Sequence, residues 1–291
     1  MKQKPWTPFL FLLPGCTILG AFIFYPMLQA IWLSFTDYNM IVPDPNFVGT
    51  DNYKKLFQDE LFWKTLKQTF IYLICVVPAL VILPIFLAIL VNQKIKGIGF
   101  FRSAYYIPVV TSMVVAGIAW EWVYAEQGVM NYILDLTGVT DEPVHWLTST
   151  NTALFAVMAV TVWKGLGYYM VIYLAGLQSI PYNLYEAAKI DGANWWQQTT
   201  RITIPMLMPS IVIVSVMSSI AAMKVFEEIY IMTGGGPLNS SKTLVFFIYE
   251  EAFDKLNMGY ASAAGVVLFI LTLIVSIINI TLTRKREQSV A

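Results

Sequence analysis

An all-α, polytopic integral membrane protein with six transmembrane helices is the fold class this sequence predicts, and three observations predict it. Hydrophobic residues make up 57% of the 291 residues and charged ones only 12%, where an ordinary soluble domain has roughly 45–50% and 25%. Six stretches are each long and apolar enough to cross a hydrocarbon layer, which takes about 20 residues of helix. The charges, eighteen basic and eighteen acidic, are segregated between alternate connections rather than mixed. A typical cytosolic enzyme is thereby excluded, and a zero net charge gives no global pull towards nucleic acid.

Taken in order, the first stretch covers residues 8–35 and carries no charge. Lys2 and Lys4 precede it as they would a signal peptide, but it is too long and lacks a small-residue cleavage site, so it reads as a span. The second, 69–91, is uncharged and contains Pro78 and Pro84; the third, 104–124, has Pro108 near its start. The fourth covers 152–177, the fifth 203–230 with Pro205 and Pro209 at its beginning, and the sixth 259–283. Each proline removes a backbone donor and bends its helix, which membrane helices tolerate. Between the first two spans, residues 37–68 mix Pro, Asp, aromatics and Lys, a composition suited to small amphipathic helices. No repeat, low-complexity tract or linker is visible, so residues 1–291 read as a single integral domain.

Orientation follows from Lys and Arg in the short connections. On one side lie ten bases (Lys2, Lys4, Lys94, Lys96, Arg102, Lys189, Arg201, Arg284, Lys285, Arg286) against three acids, Glu186, Asp191 and Glu287. The other side has six bases (Lys54, Lys55, Lys64, Lys67, Lys242, Lys255) against fifteen acids, and Lys164 and Lys224 fall inside spans. Both termini are therefore expected in the cytoplasm.

Reactive chemistry is hard to assemble from this chain. Cys16, Cys75 and His145 are too scattered to form a metal site. The segment from Gly236 to Thr243 nearly matches a nucleotide-binding loop, but Ser241 stands where a glycine must let backbone amides reach phosphate. It reads as an outer turn. The carboxylate pairs Glu227/Glu228 and Glu250/Glu251 sit at span ends and read as solvated faces, and Lys224, four residues before Glu228, as a helix-surface ion pair or a snorkelling side chain. No nucleophile with a neighbouring base can be named, so no catalytic residue and no enzyme activity are expected.

The fourth connection is different. It runs Ile180-Pro-Tyr-Asn-Leu-Tyr-Glu186-Ala187-Ala188-Lys-Ile-Asp191-Gly192-Ala193 and continues through Trp195 and Trp196 to Ile202-Thr-Ile204-Pro205. Pro181 suits the first turn of a short helix and Gly192 a left-handed end to it. The two alanines make a shallow surface that a partner can approach closely. A second helix over 193–203, with its tryptophans at the membrane interface, completes a helix-turn-helix elbow on the basic, cytoplasmic side.

These residues resemble the membrane subunits of binding-protein-dependent ABC importers, whose cytoplasmic loop has the pattern E-A-A-x3-G-x9-I-x-L-P. Glu186-Ala187-Ala188, Gly192, Ile202 and Pro205 keep that spacing, with Ile204 in place of Leu. Further segments resemble the carbohydrate-uptake subfamily, in particular the larger maltose-permease-type subunit: Phe47 to Tyr53, Gly128 to Asn131, Tyr173 to Pro181 and Thr233 to Pro237. The resemblance implies a permease subunit in the cytoplasmic (inner) membrane of a prokaryote. It implies as partners a homologous second permease subunit, two ATPase subunits that bind ATP and Mg, and an extracytoplasmic solute-binding protein; this chain itself binds no cofactor. The elbow, with Glu186, Ala187, Ala188, Asp191, Gly192, Ile202 and Pro205, would then be the coupling helix that docks on an ATPase, with Glu186 facing a basic residue there.

The same resemblance places a sugar path along the fourth and fifth spans. On the fifth, Ser215, Ser218, Ser219 and Ala222 form a small, hydroxyl-bearing stripe at helical spacing, with Phe226 a turn further on, which serves either helix packing or sugar hydrogen bonding. On the fourth, Trp163, Lys164, Gly165, Tyr168 and Tyr169 are candidates, and Lys164 lies deep enough to face a watery cavity unless it snorkels. The aromatics and the lack of a basic cluster favour a neutral oligosaccharide. The competing reading is a secondary sugar transporter driven by an ion gradient, which would need broken helices and intramembrane acids.

Overall fold

The computed structural model describes residues 7–41, 44–93, 96–140 and 142–288, with side chains over 11–281. Lys2, Lys4 and Lys94, which contribute to the charge asymmetry, lie outside them, as do the side chains of Arg284, Lys285 and Arg286. In chain order the helices are α1 (Thr7–Leu19), α2 (Tyr25–Leu33), α3 (Asp51–Gln58), α4 (Glu60–Val91), α5 (Ile98–Val110), α6 (Met113–Val123), α7 (Val129–Thr137), α8 (Ala153–Gln178), α9 (Tyr182–Ile190), α10 (Trp195–Gln198), α11 (Ile204–Met206), α12 (Met208–Met223), α13 (Glu227–Met232), α14 (Leu244–Tyr249) and α15 (Met258–Gln288). Wider π-helical turns occupy Gly20–Phe24, Thr199–Thr203 and Glu250–Asp254. Among the described residues β structure is confined to isolated bridging, as between Thr36 and Phe47.

Four helical stretches are long and apolar enough to cross a membrane: Phe11–Leu33, Glu60–Val91, Ala153–Gln178 and Met258–Thr281. Two bent pairs raise the number to as many as six if each pair counts as one span. The continuous third span expected over 104–124 is instead α5 and α6, meeting at 100°. Pro108 lies in the last turn of α5 rather than opening a helix, and Thr111 and Ser112 are extended, with ψ of 133° and 140°. A proline there withholds one N–H from the closing turn, so the helix is weakest where it ends. The fifth span also differs: the chain bends by 65° between Trp195–Met206 and Met208–Met223. Helix α12 then stops at Met223, and α13 starts again at Glu227. The second span begins earlier than its hydropathy suggests, because Asp59 accepts the Leu61 N–H at 2.8 Å and starts α4 ahead of the apolar run.

The chain divides into two compact units. In the one formed by Met1–Trp63 and Phe247–Ile270, the connection between the first two spans carries the amphipathic helix expected of it. Helix α3 buries Leu56 and turns Asn52 inward, where its amide donates to the Ser34 and Thr36 carbonyls at 3.0 and 2.7 Å. Glu251, read from the sequence as solvated, is 5% exposed and pairs with Lys255 at 2.5 Å. The π-helical turn Glu250–Asp254 places this carboxylate inward. Lys255 loses hydration, which lowers its pKa, but the bond and charge of Glu251 outweigh that and raise it.

The other unit, Lys64–Phe246 with Leu271–Ala291, is built around α8. Its core takes Tyr72 and Val76 from α4, Val157, Met170 and Tyr173 from α8, and Leu207, Val214 and Ile229 from the segments that follow. Helices α5 and α8 pack closely because Gly167 has no side chain: a Cβ there would collide with the Tyr105 carbonyl. Thr111 and Ser112 alone separate α5 from α6, and Lys164 of α8 restrains the break by donating to the Thr111 carbonyl at 2.9 Å.

Candidate functional site

The elbow is built from local rules. Pro181 stands just before α9 as its last extended residue, with φ −60° and ψ 126°, instead of within the first turn. Gly192 closes the helix in the left-handed region at φ 78°. Its N–H bonds to the Lys189 carbonyl at 3.1 Å and the Ala193 N–H to the Ala188 carbonyl at 2.9 Å, the two bonds of a Schellman end. Asn194 then starts the next helix through a reciprocal cap with Gln197, each bond 2.8 Å. Asn194 was not singled out from the sequence, although Asn with Gln three residues later is the signal for such a cap. The expected second helix over 193–203 is α10 plus the π-helical turn Thr199–Thr203.

Tyr185 anchors the elbow from within, its hydroxyl 3.0 Å from Thr203 Oγ1. The opposite face is open: Glu186, Ala187, Asp191 and Gly192 are exposed, and Ala188, Ile202 and Pro205 are half-buried. Ile190 is 86% exposed. Among the described residues Glu186 has no ion-pair partner. A carboxylate, a shallow alanine surface and a bare isoleucine thus share a short rigid helix.

The second set of candidates scatters around α8 and α12. Lys164 Nζ donates to the Thr111 carbonyl at 2.9 Å and lies 3.5 Å from those of Pro108 and Val109. It therefore caps the C-terminal end of α5, where orphan carbonyls and the negative pole of the helix favour a cation. Trp163 packs edge-on against Trp120, with ring centroids 5.4 Å apart, and Tyr168 against Tyr169 at 5.1 Å. Gly165 faces Leu80.

Two of the four serines on α12, Ser215 and Ser219, are engaged by a residue that the sequence reading had left aside. Asn279 of α15 accepts from Ser215 Oγ at 2.9 Å and donates to the Ser215 carbonyl and Ser219 Oγ at 3.1 and 2.9 Å. The signal was present, since an amide in the apolar run Ser276-Ile-Ile-Asn279-Ile seeks partners inside a bundle. Ser218 and Ala222 instead line a pocket of about 320 Å³ together with Tyr72, Thr161, Phe226 and Glu228. Lys224 and Glu228 both line this pocket but form no ion pair among the described residues, because the helix breaks between them and the four-residue spacing no longer brings them together.

The near-match to a nucleotide loop is a closed turn. Ser241 Oγ donates to the Gly236 carbonyl at 2.6 Å, and Lys242 is buried with its Nζ 5.6 Å from the Phe246 ring centroid. Lys64 and Gln68 of α4 hold the turn by donating to the Leu238, Asn239 and Ser240 carbonyls at 2.7 to 2.9 Å.

Known proteins match this chain along most of its length. Residues 61–288 match the model of the family described as binding-protein-dependent transport system inner membrane component. A probable ABC transporter permease protein of Pyrococcus horikoshii is 34% identical, over 99% of this chain and 100% of that protein. The lactose transport system permease protein LacF of Rhizobium radiobacter is also 34% identical, over 96% and 94%. Among solved structures, a bacterial alginate ABC transporter in complex with an alginate pentasaccharide-bound periplasmic protein superposes with a TM-score of 0.82 at 26% identity, covering 97% of this chain and 95% of that one. The chain therefore belongs to the family of inner-membrane components of binding-protein-dependent transport systems, as a permease subunit of an ABC transporter, and is a transport protein rather than an enzyme.

Proposed function

We propose that this permease moves a sugar, most simply a neutral oligosaccharide, across the cytoplasmic membrane of a prokaryote. It acts beside a homologous second permease subunit, above two ATPase subunits that hold ATP and Mg, and below a solute-binding protein that delivers the sugar. Residues 1–291 form one transmembrane domain with six spans, each bent pair being one, and both termini in the cytoplasm. The observation that carries this reading is the elbow: α9 ends in a left-handed glycine and presents Glu186 and Ala187 outward, with Ala188 half-buried beside them, on the side that the basic residues assign to the cytoplasm. A subunit without a nucleotide site needs such a mechanical contact, through which closure of an ATPase can move its spans. Asp191, Gly192, Ile202 and Pro205 set the angle of the docked helix.

The sugar passes along α8 and α12. Ser218 and Ala222 face it, Trp163, Tyr168 and Tyr169 supply aromatic surface nearby, and Lys164, Gly165, Ser215 and Ser219 hold the walls. The likeness to a lactose permease protein and to an alginate importer supports sugar as the cargo class. Reconstitution of the assembled importer in vesicles tests the reading. Sugar uptake should need ATP and persist after ionophores collapse the ion gradients; uptake that stops with the gradients while ATP is maintained would establish the secondary carrier instead.

A further inference from the structure

Building on the sugar-permease reading, we infer that the pocket among α4, α8, α12 and α13 is a subsite for an uncharged sugar ring, in which Glu228 accepts hydroxyl hydrogen bonds and turns away acidic sugars. Its volume of about 320 Å³ falls at the lower end of small-molecule sites, which span roughly 300–1,000 Å³. The hydrogens of its hydroxyls are already committed. Thr161 Oγ1 donates to the Val157 carbonyl at 3.2 Å, so the short bond between Tyr72 and Thr161 has Tyr72 as donor. Ser218 Oγ donates to the Ser215 carbonyl at 3.2 Å. What these groups still offer is lone pairs.

Glu228 adds a carboxylate, which only accepts, and among the described residues no side chain pairs with it. Glu227 lines the same pocket, against Lys224 as its lining cation; the nearby ammonium of Lys164 is held by the α5 carbonyls. An acceptor-rich wall recognises a ligand rich in donors, and a sugar ring offers several O–H donors. Phe226 supplies an apolar surface for the face of the ring. A uronate ring brings another acceptor and a like charge, so it meets repulsion where a neutral ring is bound.

The test uses the whole importer in lipid nanodiscs, with Cys16 and Cys75 replaced by Ser and Ala221→Cys as reporter, since Ala221 lines the pocket and is exposed. The labelling rate of that thiol with an uncharged reagent is read with and without maltotriose, arabinotriose or trigalacturonic acid, and transport of the same sugars is measured in parallel. A neutral trisaccharide that is transported should slow labelling, and trigalacturonic acid should not. Glu228→Leu should weaken that protection about tenfold, the loss of one charge-assisted hydrogen bond. Glu228→Gln, which keeps an acceptor and removes the charge, should retain it and admit trigalacturonic acid. Both variants must still assemble and label normally without sugar. Equal protection by trigalacturonic acid, unchanged protection in Glu228→Leu, or transport of a neutral sugar without protection would overturn the subsite and leave the permease reading standing. Failure to transport any of the sugars would overturn the neutral-oligosaccharide reading, and the subsite with it.

Discussion

Substitution of Gly192 separates a coupling role from a merely structural one, because the cost can be read from the backbone. Gly192 sits at φ 78°, and a Cβ built on it meets nothing within 4 Å. A side chain there therefore causes no collision, and the whole penalty is conformational, about 1–2 kcal/mol for an L-residue in the left-handed region. That shifts the balance between the closed elbow and a frayed one by roughly 5- to 30-fold but removes only a part of a fold's 5–15 kcal/mol. The two bonds that close the helix, from Gly192 and Ala193, are the ones lost. The penalty also has an order: Asn tolerates this region best, Ala less, and a β-branched Val least. We expect Gly192→Asn, Gly192→Ala and Gly192→Val all to assemble with the ATPases, while sugar molecules imported per ATP hydrolysed fall in that order. Both quantities are measured in one vesicle preparation, with inhibitor-sensitive phosphate release as the denominator. Equal coupling ratios in Gly192→Val and wild type would refute the argument that the turn transmits the stroke, and loss of assembly in all three would show that the turn is needed to build the complex rather than to drive it.

Two further outcomes follow from local geometry. Gly167→Ala places a methyl against the Tyr105 carbonyl and should destabilise the α5–α8 contact by about 1–3 kcal/mol, seen as a lower melting temperature in detergent; an unchanged melting temperature would contradict the close approach. In the connection between the first two spans, the Asn46 N–H donates to Asp37 at 2.7 Å and the Asn46 side-chain amide also reaches it, which together hold its carboxyl below the ordinary 3.8. Because the folded pKa is depressed, this contact contributes above the ordinary value and is lost as pH falls through the lower one. Hydrogen exchange should therefore show the Asn46 amide protected at pH 4 and exposed in stronger acid, and Asp37→Ala should remove the protection at every pH.

What could be read from the sequence and what could not divide by the range of the interaction. The elbow was legible because its determinants are neighbours: Gly192 ends α9 through bonds to Lys189 and Ala188, and every partner lies within five residues. The amphipathic α3 was legible for the same reason, since Tyr53, Leu56 and Phe57 recur at helical spacing among polar residues on one short helix. The break between α5 and α6 was not, because Pro108 resembles Pro78 and Pro84, which α4 absorbs without breaking, nothing in Val110-Thr111-Ser112-Met113 is a strong breaker, and hydropathy stays high across it. What stabilises that break is an ammonium over fifty residues away, since Lys164 satisfies carbonyls that the interrupted helix leaves bare. From the sequence Lys164 was an ionisable group at membrane depth, open to a cavity role or to snorkelling, and neither reading included a helix end for it to cap. The serine stripe shows the same limit. Its spacing could not distinguish packing from substrate contact, and the structure divides it residue by residue: Asn279 takes Ser215 and Ser219, and the pocket takes Ser218. A helical stripe of hydroxyls is thus one pattern with two uses, and the choice between them is made by an amide sixty residues downstream.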